Sequence, residues 1–169
     1  CEDAIKLISD NDAQKVMIEN ENHRGCDKGQ SIKDIEKDVF RTFPDHSMFD
    51  VDGTGIQQLR RILLAYSVWN PAVGYCQGLN FMAAALLLFL GEEDSFWILC
   101  SLCKNILPPK YYTPKLFDLH VDVRVLQKLI ETKLPSVQAV FQDHHIDVRL
   151  IAMEWFMCSF LNIFPLETT

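Results

Sequence analysis

The chain has 169 residues, 49% apolar and 23% charged, which suits one globular domain with a sizeable core and excludes a disordered polymer. A net charge of -7 with no basic run argues against nucleic acid or an acidic membrane surface as a direct ligand. Residues 1–30 carry no signal-peptide pattern, and the apolar run at 81–90 is too short to span a bilayer.

Residues 3–18 place Ile5, Ile8, Val16 and Met17 at spacings that predict a helix interrupted at Asn11 and Asp12. Residues 19–31 are polar, with Gly25 and Gly29, and read as a loop. Ile32, Ile35 and Val39 then recur at helical spacing, with Lys33, Glu36 and Lys37 opposite. Pro44 predicts that this helix ends near Thr42. Residues 45–53 read as a linker. Thr54 and Gln57 fit a capping box, opening a helix with Ile56, Leu59, Ile62, Leu63, Tyr66 and Trp69 on one face. Asn70 and Pro71 stop it.

At 74–80 two glycines bracket Tyr75, Cys76 and Gln77, and Asn80 opens the apolar run. The pair of glycines marks a shaped turn, and a helix apolar on all sides belongs at the centre of a core. The stretch therefore predicts a polar loop, fixed to the middle of the protein, that displays Gln77. By local pattern alone, a plain turn between helices with Asn80 as N-cap fits as well. Gly91 closes the apolar helix, and 92–94 open another that reaches about Ile106, before Pro108 and Pro109.

Residues 115–133 give the cleanest periodicity, with Leu116, Leu119, Val123, Leu126 and Ile130 on one side and Asp118, Asp122, Lys128 and Glu131 on the other. Pro135 suits a first helical position. Residues 148–164 are apolar nearly all round and are expected to be buried. Period-2 alternation bounded by hairpin turns is absent. The expected fold is all-α, with seven or eight helices, no sheet and no internal repeat.

Metal and nucleotide chemistry is poorly supported. Counting a calcium loop from Asp50 puts Arg61 where a bidentate Glu is required. Cys100 and Cys103 lack two further zinc ligands at comparable spacing and fit core packing. Asp143, His144, His145 and Asp147 fit a turn with an N-cap Asp better than a metal shell. Cys76 as a thiol nucleophile could be matched with any of five histidines, so that idea has little content. Neither a phosphate-cradling loop with Lys-Ser or Lys-Thr nor GxGxxG occurs. No metal site is expected. The six cysteines fit free thiols in a reducing compartment, since four lie in apolar, helix-like segments. Asp38 and Arg41, three apart at a helix end, can pair there, and taken alone this is an ordinary contact of a few tenths of a kcal/mol.

The combination says more than its parts. IxxDxxR at 35–41 runs into Thr42, Phe43 and Pro44, and YxQGxN at 75–80 runs into an apolar helix. Residues 59–66, Asn70, Gly74, Asp94, Phe96 and Trp97 follow in the same order. This pattern resembles the TBC domain family, whose members are GTPase-activating proteins for Rab GTPases. The resemblance implies that Arg41 is an arginine finger and Gln77 a glutamine finger, both supplied in trans to the partner. Asp38 would hold the Arg41 segment, and Tyr75, Gly78 and Asn80 would shape the loop that aims Gln77.

It also implies a Rab small GTPase as partner, which would carry the GTP and Mg2+, so that the chain needs no cofactor of its own. Location would be cytoplasmic, in vesicle trafficking, with contact to endomembranes through the partner or flanking regions. The family's upstream motif with an Arg and a Trp has no counterpart before Ile35, and residues 1–30 contain no Trp. The chain opens without Met and stops directly after a helix-like segment. A partial TBC domain over 1–169 is therefore expected, clearest over 35–164.

Two alternatives make different predictions. A TBC-like helical scaffold would bind a GTPase or another protein without accelerating hydrolysis, and need not keep both Arg41 and Gln77. A generic helical scaffold with an ordinary turn at 74–80 would leave those two residues far apart or on different surfaces.

Overall fold

The computed structural model describes residues 28–50 and 53–164. The interrupted helix expected over 3–18 lies outside the described residues. Among the described residues every regular element is helical, as the sequence predicts. Seven α-helices follow in order: α1 (Lys28–Val39), α2 (Thr54–Trp69), α3 (Leu79–Phe89), α4 (Glu92–Ser101), α5 (Phe117–Lys133), α6 (Pro135–Asp143) and α7 (Val148–Met157). A 3-10 turn (Ser47–Phe49) lies between α1 and α2, and a π turn (Leu102–Ile106) extends α4.

The core forms where α2 is covered by α1, α3 and α4. Ile35, Val39, Leu59, Leu63, Tyr66, Leu79, Ala83, Phe96 and Leu99 are wholly buried there. Ile35, Val39, Leu59, Leu63 and Tyr66 are on the faces that the 3.6-residue period assigns to the interior. Two ion pairs brace this packing at its edge. Arg61 Nε and Nη2 each lie 2.7 Å from a Glu92 carboxylate oxygen, and Arg60 Nε lies 2.9 Å from Glu36 Oε1. The first joins α2 to α4, the second α2 to α1.

Several boundaries differ from the sequence expectation. Helix α1 starts at Lys28, inside the expected loop, and ends at Val39 rather than near Thr42. The chain tightens there into a turn in which the Arg41 N–H donates to the Asp38 carbonyl at 3.2 Å. Phe43 then takes φ 46, a left-handed backbone, so the helix could not continue to Pro44 in any case. The linker before α2 is not featureless, because Ser47–Phe49 coils and Phe49 is buried.

Gly53, not Thr54, caps α2, and no side chain caps it. A Cβ on Gly53 would stand 2.3 Å from the Met48 carbonyl oxygen, so that close approach selects the glycine. Helix α3 ends at Phe89 with Leu90 as its C-cap, and Gly91 serves instead as N-cap of α4. The segment from α4 reaches Ile106 as expected, but its last turn is π: the Leu107 N–H donates to the Leu102 carbonyl at 2.8 Å.

The larger corrections concern burial. Helix α3 is central on one side only, with Leu79, Ala83 and Ala84 fully enclosed and Phe89 79% exposed. Its other side opens onto a groove of about 390 Å³ lined by Met82, Leu86, Phe89, Leu102, Ile106 and Leu161, among others. Residues 148–164 were expected to be buried throughout. Only Val148, Ala152 and Cys158 are, whereas Leu150 is 78% exposed and Phe164 52%. Helix α7 packs along α5, and among the described residues nothing covers Leu150 and Ile151 on its outer side, which are 78% and 39% exposed.

Candidate functional site

The turn that ends α1 and the loop before α3 meet at Asp38. Ile35 and Val39 lock that helix end into the core, so the Asp38 side chain is almost wholly buried while Arg41 is exposed. One Asp38 oxygen lies 2.7 Å from Arg41 Nη2, and the other accepts the Tyr75 hydroxyl at 2.6 Å. A buried carboxylate requires such partners, because an unpaired charge away from water is costly. The two segments, 37 residues apart in sequence, therefore share one anion. Burial and the adjacent Asp38 carboxylate push the Tyr75 phenol well above its usual range, so it stays neutral and donates its proton to Asp38.

Beneath this pair is a second connection. The Thr42 hydroxyl donates to the Asp38 carbonyl at 2.6 Å and accepts from Asn80 Nδ2 at 2.8 Å. Asn80 Oδ1 accepts from the Gly78 N–H at 2.9 Å. Asn80 is thus the second residue of α3, fully buried, and Gly78 is the N-cap, which corrects the plain-turn expectation of Asn80 as N-cap.

Gly78 has φ +104, and a Cβ there would stand 2.3 Å from the Met157 carbonyl oxygen. Only glycine fits both constraints. The end of α7 therefore presses against the loop, and the Tyr112 hydroxyl donates to that same Met157 carbonyl at 2.9 Å.

Of the six residues singled out in the sequence, Asp38, Arg41 and Tyr75 meet directly, and Gly78 and Asn80 are hydrogen-bonded to each other. Gln77 lies between those anchors with its side chain exposed. Among the described residues no hydrogen bond of that side chain is found. The two segments thus adjoin, and Arg41 and Gln77 are both open to solvent. Thr42, Tyr112 and Met157 were not singled out. Thr42 follows Arg41 just past a helix end, and its partner Asn80 was singled out, but nothing in the sequence paired the two across 38 residues.

The remaining candidates behave as structural residues. Cys100, Cys103 and Cys158 are free thiols. Burial pushes them up, to about 12 for Cys100 and Cys158 and about 11 for Cys103, so they carry no thiolate at neutral pH. Asp147 caps α7 as predicted, accepting from the Arg149 N–H at 2.9 Å. Among the described residues no group of three or more His, Cys, Asp or Glu gathers to hold a metal ion. No described helix is long and apolar enough to cross a membrane.

Comparison with known proteins adds a family to this geometry. The sequence model for the Rab-GTPase-TBC domain matches residues 4–169. Small G protein signaling modulator 3 of Bos taurus is 41% identical over 138 residues, which are 81% of this chain and 18% of that protein. TBC1 domain family member 2A of Homo sapiens is 45% identical over 134 residues, 78% of this chain and 14% of that protein. The chain spans less than a fifth of the length of these curated relatives. Among solved structures, the Chlamydomonas flagellar RabGAP TBC domain superposes with a TM-score of 0.74 at 33% identity, covering 99% of this chain and 51% of that one. The Ypt/Rab-GAP domain of Gyp1p has the same fold, with a TM-score of 0.73 at 22% identity over 99% of this chain and 58% of that one.

Proposed function

The chain belongs to the Rab-GTPase-TBC domain family, and on that premise we propose that it stimulates GTP hydrolysis by a Rab small GTPase through Arg41 and Gln77. The observation that carries this is the shared Asp38 carboxylate, 2.7 Å from Arg41 and 2.6 Å from the Tyr75 hydroxyl. It joins the Arg41 turn to the Gln77 loop and leaves both end groups exposed.

During hydrolysis, negative charge spreads over the transferred phosphoryl group and the leaving oxygen, and a water must be held in line for attack. A guanidinium offers a planar fork of donors to that charge without giving up its own proton. Arg41 leaves α1 from a turn fixed by Asp38, and its half-exposed side chain can reach outward from there. A carboxamide can accept from the attacking water and donate to a neighbouring oxygen. Gln77 takes that role from a loop pinned on both sides. GTP and Mg2+ belong to the partner, and this chain supplies side chains only. The setting is cytoplasmic vesicle trafficking, with membrane contact made by the partner or by flanking regions.

In Ras, a trans arginine contributes about 10³ to 10⁵ in rate, or on the order of 4 to 7 kcal/mol. The test is phosphate release from a panel of GTP-loaded Rabs with wild type, Arg41→Ala and Gln77→Ala. Loss of most stimulation in each variant is expected. A Rab whose own catalytic glutamine is replaced should still respond, because Gln77 orients the water. Binding of a GTPase by the full-length, folded protein without any stimulation would establish the scaffold alternative instead.

A further inference from the structure

We propose that Thr42 is a positioning residue that keeps Arg41 and Gln77 in one register. The proposal rests on the assignment of those two side chains as fingers. Thr42 directly follows Arg41, and Gly78 directly follows Gln77. Between them runs an unbroken chain of hydrogen bonds, in which Asn80 Nδ2 donates to the Thr42 hydroxyl and the Gly78 N–H donates to Asn80 Oδ1. Its two ends are the Thr42 side chain, next to Arg41, and the Gly78 backbone, next to Gln77.

The hydroxyl uses both its capacities, donating to the Asp38 carbonyl and accepting from Asn80. That fixes which way the Asn80 amide faces, since its nitrogen must point to Thr42 and its oxygen to Gly78. Thr42 is 1% exposed and Asn80 fully buried, so water does not compete for these bonds.

The connection differs in kind from the one above it. The Asp38–Tyr75 contact runs through the counter-ion of Arg41 itself. When Arg41 turns to a phosphate, that carboxylate loses its cation and the contact is free to readjust. The Thr42–Asn80 connection is neutral and buried, and does not depend on where Arg41 points. It holds the Gln77 loop against the Arg41 turn while Arg41 is engaged. A misplacement of about 1 Å caused by a change far from the chemistry can cost on the order of 10²-fold in rate.

Thr42→Val keeps the shape and removes the hydroxyl, and Thr42→Ser keeps the hydroxyl. With the full-length protein and a Rab that the wild type stimulates, Thr42→Val is expected to lower kcat by about 10²-fold and leave KM for the Rab within about twofold. Thr42→Ser should restore kcat. Thr42→Cys, a weak hydrogen-bonding group of similar size, should fall between them and decides the matter should the Val variant not fold. An equal loss in the Ser and Val variants would show that packing of the methyl group is what counts, and would overturn the proposal.

Amide exchange without any GTPase gives an independent readout. The Gly78 amide should exchange about tenfold faster in Thr42→Val, with the Ile35 and Leu63 amides unchanged. Unchanged Gly78 exchange defeats the positioning role whatever the kinetics show. Faster Gly78 exchange in a protein that stimulates no Rab keeps the structural link and discards the finger assignment.

Discussion

Helices α2 and α7 are both rich in apolar residues, yet they end up in different surroundings. Eight residues of α2 are buried, against two of α7 and none of α6. Apolar content does not separate them. Neighbours do: α2 is enclosed by α1, α3 and α4, whereas α5 is packed by α6 and α7, whose outer faces are uncovered among the described residues. Val125 on α5, Val140 on α6 and Leu150 on α7 are all at least half exposed. The site draws its supports from the enclosed region, through Asp38, Thr42, Tyr75 and Asn80. The open region reaches it at the end of α7, where the Met157 carbonyl meets Gly78. Stability and site geometry should therefore be separable by where a substitution falls.

The largest effect is expected in the enclosed region. Leu63 has no exposed surface, and Leu63→Ala should cost about 2 to 5 kcal/mol, the sum of lost burial and a residual cavity. Denaturant unfolding of the purified protein measures this. A cost below about 1 kcal/mol would mean that the enclosed region is no better packed than the open one.

Next comes the junction between the two regions. Gly78→Ala adds a Cβ 2.3 Å from the Met157 carbonyl oxygen at a backbone with φ +104. Strain of this kind costs on the order of 1 to 3 kcal/mol, and here it should also displace the end of α7. Loss of stability together with faster exchange of the Cys158 and Gln77 amides is the expected pattern. Exchange changes confined to α3 would show that α7 does not buttress the loop.

What was legible in the sequence follows the same division. Periodicity revealed α2 and α5 because a long helix with one buried face repeats its pattern several times. The Asp38–Arg41 pair was legible because i, i+3 spacing on a helix makes neighbours by geometry alone. Tyr75 to Asp38 and Asn80 to Thr42 were not, since contacts 37 and 38 residues apart leave no local signature. The family resemblance singled out Asp38, Tyr75 and Asn80 but neither contact, and both are seen only in the structure. The capping residue of α2 was misplaced by one, because the close approach of the Met48 carbonyl to Gly53 is a tertiary fact. The expected burial of 148–164 failed for a related reason. Composition states what a helix could bury, and burial needs a surface to cover it.

Alkaline pH offers a finer comparison, because buried or half-buried thiols lie in both regions. Cys100 and Cys103 belong to the enclosed one, and Cys158 follows α7. In the folded protein Cys100 and Cys158 are raised to about 12 and Cys103 to about 11, by burial first, from an ordinary value of 9.0. Below pH 9 both folded and unfolded chains keep these protons, and stability is unaffected. Above it the unfolded chain ionises first, so stability falls until the folded thiols also ionise, at about pH 11 to 12. Each thiol contributes a slope of at most about 1.4 kcal/mol per pH unit. Unfolding followed between pH 8 and 11 with Cys158→Ala and Cys100→Ala should show a shallower slope in each. A slope unchanged by Cys158→Ala would mean that water reaches the end of α7.

The smallest effect belongs to the open face. Leu150 is 78% exposed on α7, and its side chain has little burial to lose. Leu150→Ser should change stability by no more than about 0.5 kcal/mol, the range of surface substitutions remote from caps and cores. It should leave amide exchange at Gly78 untouched, since the contact between α7 and the loop is made at Met157, two turns further along the helix. A destabilisation near that of Leu63→Ala would show that the outer face of α7 is covered in solution, and the contrast between the two regions would then lapse.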